Sequence, residues 1–386
     1  MKKLLVSYPK QLNWNAMRIC VGIVPDFWYD IADEYGLLFQ NEWLYWQNHG
    51  WDDEIRKEYS DWVWSDGSHP SIAIWDAINE NTDMFIGNTL IPELKKLDPT
   101  RIWDAGYMSE GLMKTDEMDE PHPYQTGIFS QMDMEKFSYP LGSLDYKPEI
   151  LQTIRKAGVP QLVNEYGWIW LWRNGLPSKL TVKTYDYYLG PGSSPEQNRN
   201  FQAYLLQLET EWLRSEPSVA GVLAFCYLAN NFGYTGDWFT GNIKDLTPAP
   251  ALKWFIDCFS PSAIFINLTD ERYVKQAVPH KPGEKLSLKL AKINDLPQIV
   301  TGNVTLSILN GEGKSVSKKT VPVTLSAYDR SSFTIDLAMP KQTGGYLLLA
   351  EFKTDNSGRP VISRRFIKVG VAPGYNFFEM KPVDLK

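Results

Sequence analysis

The chain has 386 residues, 43% of them apolar, and a formal net charge of −7, which is too long for one ordinary small domain and apolar enough for a large core. All 15 tryptophans lie between Trp14 and Trp254, and residues 1–260 carry a charge balance of −14 against +7 for residues 261–386. Composition and charge therefore break together near residue 260, and an acidic, tryptophan-rich first part excludes nucleic acid, whose phosphates require a basic stripe.

Along the first part strands and helices alternate. Asn15 to Cys20 reads as a strand, and Pro25 and Asp26 open a helix whose apolar face is Phe27, Ile31, Ala32 and Tyr35, with Gly36 as its stop. Leu37 to Glu42 is the next strand. A helix from Asp52 to Trp64 leads through Asp66–Pro70 into a strand ending at Glu80, and a helix from about Phe85 to Leu97 leads to a strand over Arg101–Gly106. A short, weakly signalled strand stands near His122-Pro123-Tyr124. Pro148 marks a helix start, with Ile150, Leu151 and Ile154 on its buried face and Gly158 at its end, and Gln161 to Glu165 follows as strand. Ser194-Pro195-Glu196 caps a long helix through Trp212, and Val219 to Tyr227 is the last parallel strand. These make seven strands; eight close an α/β barrel.

From about residue 262 the pattern changes. Lys285–Leu290, Asn303–Leu309, Thr320–Leu325, Ser332–Leu337, Tyr346–Phe352 and Val361–Val369 alternate apolar and polar residues, and Asn310-Gly311-Glu312-Gly313 supplies a hairpin turn. Six short strands without helices indicate an antiparallel sandwich of immunoglobulin type. The expected organisation is a (β/α)8 barrel over residues 1–260 and this sandwich over residues 261–386.

Two runs, His69 to Glu80 and Gln161 to Glu165, each end an apolar segment on an Asn-Glu pair. Residues at the carboxyl ends of barrel strands carry the chemistry in such folds. Two glutamates delivered from separate strands match the paired carboxylates of glycoside hydrolysis, where one carboxyl must protonate the leaving-group oxygen and the other attack or activate. Asn41-Glu42 is a third such pair, also at an expected strand end.

Cys20, Cys226 and Cys258 show no spacing for a disulfide framework or a zinc site, and the four histidines are scattered. No glycine-rich phosphate or dinucleotide fingerprint occurs. No metal and no cofactor is expected. Met1–Val6 imitates the start of a signal peptide but its apolar stretch stops at Ser7, and no stretch is long enough to cross a membrane. The compartment stays open.

The run His69-Pro70-Ser71-Ile72, followed by Trp75 and Asn79-Glu80, resembles the fourth-strand motif of family 2 glycoside hydrolases, the group of β-galactosidases, β-glucuronidases and β-mannosidases. Asn164-Glu165-Tyr166-Gly167 resembles their nucleophile motif, and Asp98-Pro99-Thr100-Arg101 the segment leading into the fifth strand. Asn15–Arg18 and Phe27–Gly36 are similar to the second strand and the helix after it. The resemblance covers roughly residues 12 to 258. It implies a retaining β-glycosidase, exo-acting on carbohydrate, with Glu80 as general acid/base and Glu165 as nucleophile. It implies further that Asn79 meets the sugar 2-hydroxyl, that Arg18 keeps Glu165 ionised, that Tyr124 donates to Glu165 and that His122 reaches the sugar. Glu42 and Asn41 are assigned to substrate or to the layer behind it. Trp43, Trp168, Trp170 and Trp172 are either stacking surfaces or ordinary barrel packing.

Two departures stand out. The eighth strand in the family ends on Trp near the sugar, where this sequence offers Phe225 or Tyr227. The family also places further domains and the first barrel strand ahead of the segment that opens this chain. The first strand is therefore expected to be missing, leaving an open edge to be covered by an N-terminal segment or a second chain. Asn242-Ile243-Lys244 resembles the Asn-x-Lys pair that reads a sugar carboxylate, which keeps an acidic sugar in play. The alternatives are a family 5-like endo-glycanase, with an open cleft, and a catalytically silent carbohydrate-binding protein.

Overall fold

A computed structural model describes residues 1–46, 48–107, 117–124, 141–146, 159–356 and 358–386. A π-helical turn over Lys3–Ser7 runs into α1 (Tyr8–Gln11), and then strands and helices alternate: β1 (Ala16–Ile19), α2 (Phe27–Tyr35), β2 (Leu38–Glu42), α3 (Asp52–Asp66), β3 (Ile72–Asp76), a π turn at Ile86–Leu90 continuing into α4 (Ile91–Leu97), and β4 (Ile102–Asp104). The four strands form one parallel sheet in the order β1-β2-β3-β4. α2 ends where expected, because Gly36 adopts φ +78° and closes it as a left-handed cap. Between sheet and helices Leu5, Tyr29, Phe39, Trp62, Trp75 and Trp103 form one buried cluster.

A second parallel pair follows: β5 (Gln161–Val163) and β6 (Val219–Val222), connected through α5 (Val182–Leu189) and α6 (Pro195–Ser215). Ser194 and Gln197 close a reciprocal capping box on α6, so the Ser-Pro-Glu signal has a defined cause. A short ribbon of β7 (Phe239–Thr240) and β8 (Thr247–Pro248) leads to α7 (Pro250–Cys258).

Several boundaries differ from the sequence expectation. β3 ends at Asp76, short of Glu80, whose backbone turns into the left-handed region at φ +45°. β5 and β6 end at Val163 and Val222, short of Glu165 and Tyr227. No strand forms at His122-Pro123-Tyr124; just ahead of it a parallel bridge joins Asp119 to Gln161. Pro121 and Pro123 have no backbone N–H, which leaves too few donors for a ladder there. The described residues thus hold six strands paired in parallel, not seven. The helix expected over Pro148–Gly158 lies outside the described residues.

The remainder is antiparallel. β9 (Ser262–Asn267), β10 (Lys285–Asn294) and β13 (Ser332–Ala338) form one sheet in the order β13-β10-β9, and β12 (Ser315–Leu325), β11 (Val300–Leu309), β14 (Gly344–Thr354) and β15 (Val361–Val369) form a second in the order β12-β11-β14-β15. Their inner faces share a core that includes Ile264, Leu290, Leu306 and Leu348. Asn310 builds the expected turn, its side chain accepting from the N–H groups of Glu312 and Lys314 at 3.1 and 2.9 Å. β9 escaped the alternation test because both its faces are covered: Ile264 and Ile266 face the sheet core, while Ala263 and Phe265 pack with α6 and α7. Arg365 of β15 pairs with Glu211 of α6 at 2.8 Å, both fully buried, and Arg364 lies 3.6 Å above the Trp254 ring. Among the described residues no helix is long and apolar enough to cross a membrane.

Candidate active site

The carboxyl ends of β1, β3 and β5 converge. Parallel strands alternate inward and outward residues, so Arg18 of β1, Gln40 and Glu42 of β2, and Asp76 of β3 all turn to the same interior, with Glu42, Asp76 and Asp104 in register on adjacent strands. Arg18 is the hub of this interior. Its Nε lies 2.6 Å from Glu42 and 3.4 Å from Asp76, its Nη2 lies 3.6 Å from Glu120 and donates to Asn79 Oδ1 at 2.9 Å, and its Nη1 donates to Glu165 Oε1 at 2.5 Å.

Glu165, two residues past β5, is buried. Tyr124 donates a short hydrogen bond to its Oε2, and the Cys20 thiol lies 3.5 Å from Oε1. Burial alone would raise the Glu165 pKa, but the charges of His122 and Arg18 and the two donated hydrogen bonds outweigh it and hold the carboxyl below its ordinary range. Glu80 stands opposite, partly open, with Oε1 3.0 Å from His122 Nδ1, and the same nitrogen lies 3.6 Å from Glu165 Oε2. One oxygen or nitrogen of each of Glu80, His122 and Glu165 falls within 4.8 Å of the others.

His122 is itself unusual. Burial works against its charge, yet the Glu165 carboxylate and hydrogen bonds to Glu120 and Glu80 raise its pKa to about 9. It is therefore an imidazolium at neutral pH. Beneath it, Glu42 and Asp76 are pushed well up, chiefly by burial and then by their acidic neighbours, whereas Glu120 is held low: burial would raise it, but a hydrogen bond from Asp104 and the charges of Arg18 and His122 prevail. Two cations, Arg18 and His122, thus face Glu165 and Glu120, whose carboxyls are held low, while burial drives Glu42 and Asp76 toward the neutral form.

A pH prediction follows from the sign of the His122 shift. Its folded pKa lies above the ordinary 6.5, so the stability it contributes is complete below that value and fades as pH rises through about 9. His122→Asn is expected to flatten the loss of stability between pH 7 and 10, measured by urea denaturation at each pH; an unchanged slope would show that the imidazole is neutral.

Other expected site residues sort by strand alternation. Trp168 packs edge-on against Tyr124 at 4.9 Å, and Phe225 meets Trp170 at 5.7 Å, so both stand beside the Glu165 pocket. Trp170 is buried beneath them, and Trp172 lies further out against Phe232. Asn41 does not reach the site: it is the outward residue between Gln40 and Glu42, bonded to Tyr29 and Asp66 in the helix layer. Trp43 follows the same parity and packs on Tyr59 and Trp62. Tyr227 also turns away, its hydroxyl donating to the Leu4 carbonyl at 3.0 Å. Asn242 caps its own turn by accepting from the Lys244 N–H at 3.0 Å, which ties it to local structure. Glu42 is completely buried and reaches the site only through Arg18.

Gln40, Asp76, Asp104 and Glu120 escaped the sequence reading. Asp76 and Asp104 carried a signal, an acid inside an apolar strand, repeated as Ile74-Trp75-Asp76-Ala77 and Ile102-Trp103-Asp104-Ala105; Gln40 and Glu120 carried none of this kind. Asp76, Asp104 and Glu120, like Glu80, His122 and Glu165, gather donors that a cation accepts. Motif spacing along the chain does not detect such sets, because folding assembles them from separate strands.

No family model matches the chain. A Formosa agariphila protein provisionally named β-glucuronidase is 31% identical over 110 residues, covering 25% of this chain and 10% of that protein. The β-D-mannosidase of Dictyoglomus thermophilum superposes with a TM-score of 0.63 at 15% identity, over 97% of this chain and 48% of the other. The exo-chitosanase of Amycolatopsis orientalis superposes with a TM-score of 0.61 at 15% identity, over 94% and 46%. The chain spans about half the length of these solved structures and about a tenth of the curated relative. A shared sequence segment and a shared fold thus stand side by side: a quarter of the chain is similar in sequence to the Formosa agariphila protein, and the fold is shared with the β-mannosidase and exo-chitosanase structures.

Proposed function

We propose that the chain carries the catalytic centre of a retaining, exo-acting β-glycosidase with Glu165 as nucleophile and Glu80 as general acid/base. The observation that carries this reading is the approach of the two carboxyl groups to within 4.8 Å. Retaining hydrolysis uses a separation of about 5 Å, whereas inversion needs roughly 6.5 Å or more to seat a water between the acids. In the first step Glu165 attacks the anomeric carbon while Glu80 gives its proton to the departing oxygen, leaving a glycosyl ester on Glu165. In the second, Glu80 takes a proton from water, whose oxygen attacks the same carbon and releases Glu165. Arg18 and Tyr124 keep Glu165 ionised and aimed, and Asn79, oriented by Arg18, meets the sugar. Trp168 and Phe225 supply apolar walls.

On this reading residues 1–260 form the arcs of a (β/α)8 barrel, and residues 261–386 an immunoglobulin-like sandwich braced against it through Arg365 and Glu211. The exo-chitosanase name of one neighbour supports end-on cleavage. The test is hydrolysis of a panel of nitrophenyl β-glycosides followed by proton NMR of the first product. The β-anomer is expected to appear before mutarotation. Initial release of the α-anomer would refute the double displacement.

A further inference from the structure

The segments that follow β2 and β3 stay paired beyond the ends of the strands. The Trp43 N–H donates to the Asp76 carbonyl at 2.9 Å, the Asn79 N–H to the Tyr45 carbonyl at 2.9 Å, and Asn81 Nδ2 to the Trp46 carbonyl at 3.5 Å. Glu80 lies between Asn79 and Asn81, so residues 45 and 46 run directly beside it.

Side chains clasp the two segments together. Tyr45 is buried, and its hydroxyl donates to Asp83 Oδ2 at 2.9 Å and accepts from the His49 N–H at 3.1 Å. His49 completes the clasp, with Nδ1 against the same Asp83 oxygen and Nε2 2.9 Å from Asp52 at the start of α3. The other oxygen of Asp83 accepts from the Phe85 and Ile86 N–H groups at 3.0 and 3.1 Å. A rim held this firmly nevertheless leaves large apolar side chains in water. Trp46 is 56% exposed, with Leu44 at 58% and Met84 at 51% on the same two segments. Apolar surface kept exposed on a rigid support, next to a pair of reacting groups, marks a surface that a ligand covers.

We infer that Trp46 is the platform on which the substrate's leaving group rests, and that this leaving group is itself a sugar ring, so that the chain cuts the ends of oligosaccharides. The inference rests on the roles proposed for Glu80 and Glu165. The departing oxygen takes its proton from Glu80, so the leaving group lies against the residues that flank Glu80, while the sugar being transferred lies against Glu165. Trp46 offers an exposed ring on that flank. A pyranose has apolar C–H faces that stack on an indole and hydroxyl edges that need polar partners. Asn48, Asn81 and Thr82 supply such partners on the same two segments. An aryl leaving group would leave them unmatched.

The test uses substrates that share a transferred sugar and differ in the leaving group. The β-glycosyl fluorides of glucose, galactose, mannose, glucosamine and glucuronic acid are set against the matching phenyl β-glycosides and the disaccharides in which each sugar is β-1,4-linked to glucose. Fluoride has no ring to stack, so it reports the reacting pair alone. For the sugar that is turned over, Trp46→Ala is expected to lower kcat/KM on the disaccharide about tenfold or more while leaving the fluoride within about twofold of wild type. Trp46→Phe should restore most of the loss, because it returns a flat ring. Equal losses on fluoride and disaccharide, or an unchanged disaccharide, would overturn the inference and leave the proposed chemistry standing. A loss confined to the phenyl glycoside would make an aryl group the occupant and overturn it as well. No turnover of any fluoride would instead refute the reading of Glu80 and Glu165, and the platform with it.

Discussion

Replacing Glu165 with alanine is expected to lower kcat on nitrophenyl β-glycosides by roughly 10⁴-fold or more, because the covalent path is lost with the nucleophile. Added azide should restore turnover by entering the vacated space, and the product should then be the α-glycosyl azide, formed in a single inversion. Glu80→Ala makes the complementary case. Glu165 remains, so an activated substrate still forms the glycosyl ester, and azide intercepts it to give the β-glycosyl azide. The two variants must therefore yield opposite anomers from one substrate. The same anomer from both, or rescue of neither, would reject the assignment of the two roles even if each variant is inactive. The prediction rests on Arg18 and Tyr124 holding the Glu165 carboxyl as an anion and on Glu80 approaching it from the more open side.

The parts of this site that the sequence announces are those with a local signal. The Asn-Glu pairs stand out because each sets an acid at the close of an apolar run, and the alternation of strand and helix through residue 104 follows from turn residues and apolar period. The C-terminal strands β10 to β13 were legible because one face of each meets solvent. What the sequence hides is the sense in which a residue points when its strand ends early. Asn41 and Trp43 share the parity of the outward face, because Gln40 and Glu42 both turn inward, Glu42 to Arg18 and Gln40 to Asp76 and Glu120. β9 was hidden for the opposite reason, since burial on both faces erases the alternation. His122 and Tyr124 reach the site without a strand at all, carried by a proline-rich segment that a single bridge fastens. The acids beneath them come from four separate segments, and only their convergence on one arginine gives them a joint meaning.

That convergence makes Arg18 the second large effect. Arg18→Met is expected to destabilise the fold by about 3–5 kcal/mol at pH 7.5, the range for removing one partner of a buried ion pair. Arg18 and its partners are almost wholly buried, so solvent does little to screen the loss. The pH dependence supplies the check. Glu165 and Glu120 are held below the ordinary carboxylate range partly by this guanidinium, so the stability they contribute is present above that range and lost as pH falls. Without Arg18 the two carboxyls take up protons more readily in the folded chain and no longer need a cation. The gap between wild type and variant in urea denaturation should therefore narrow from pH 7.5 to pH 5. Arg18→Lys should recover only part of it, because one ammonium cannot reach four acidic side chains and Asn79 together. A gap below about 1 kcal/mol, the scale of an exposed pair, or one that widens on acidification, would mean that Glu165 and Glu120 are not both ionised around Arg18, and the assignment of Glu165 as the standing nucleophile would fall with it.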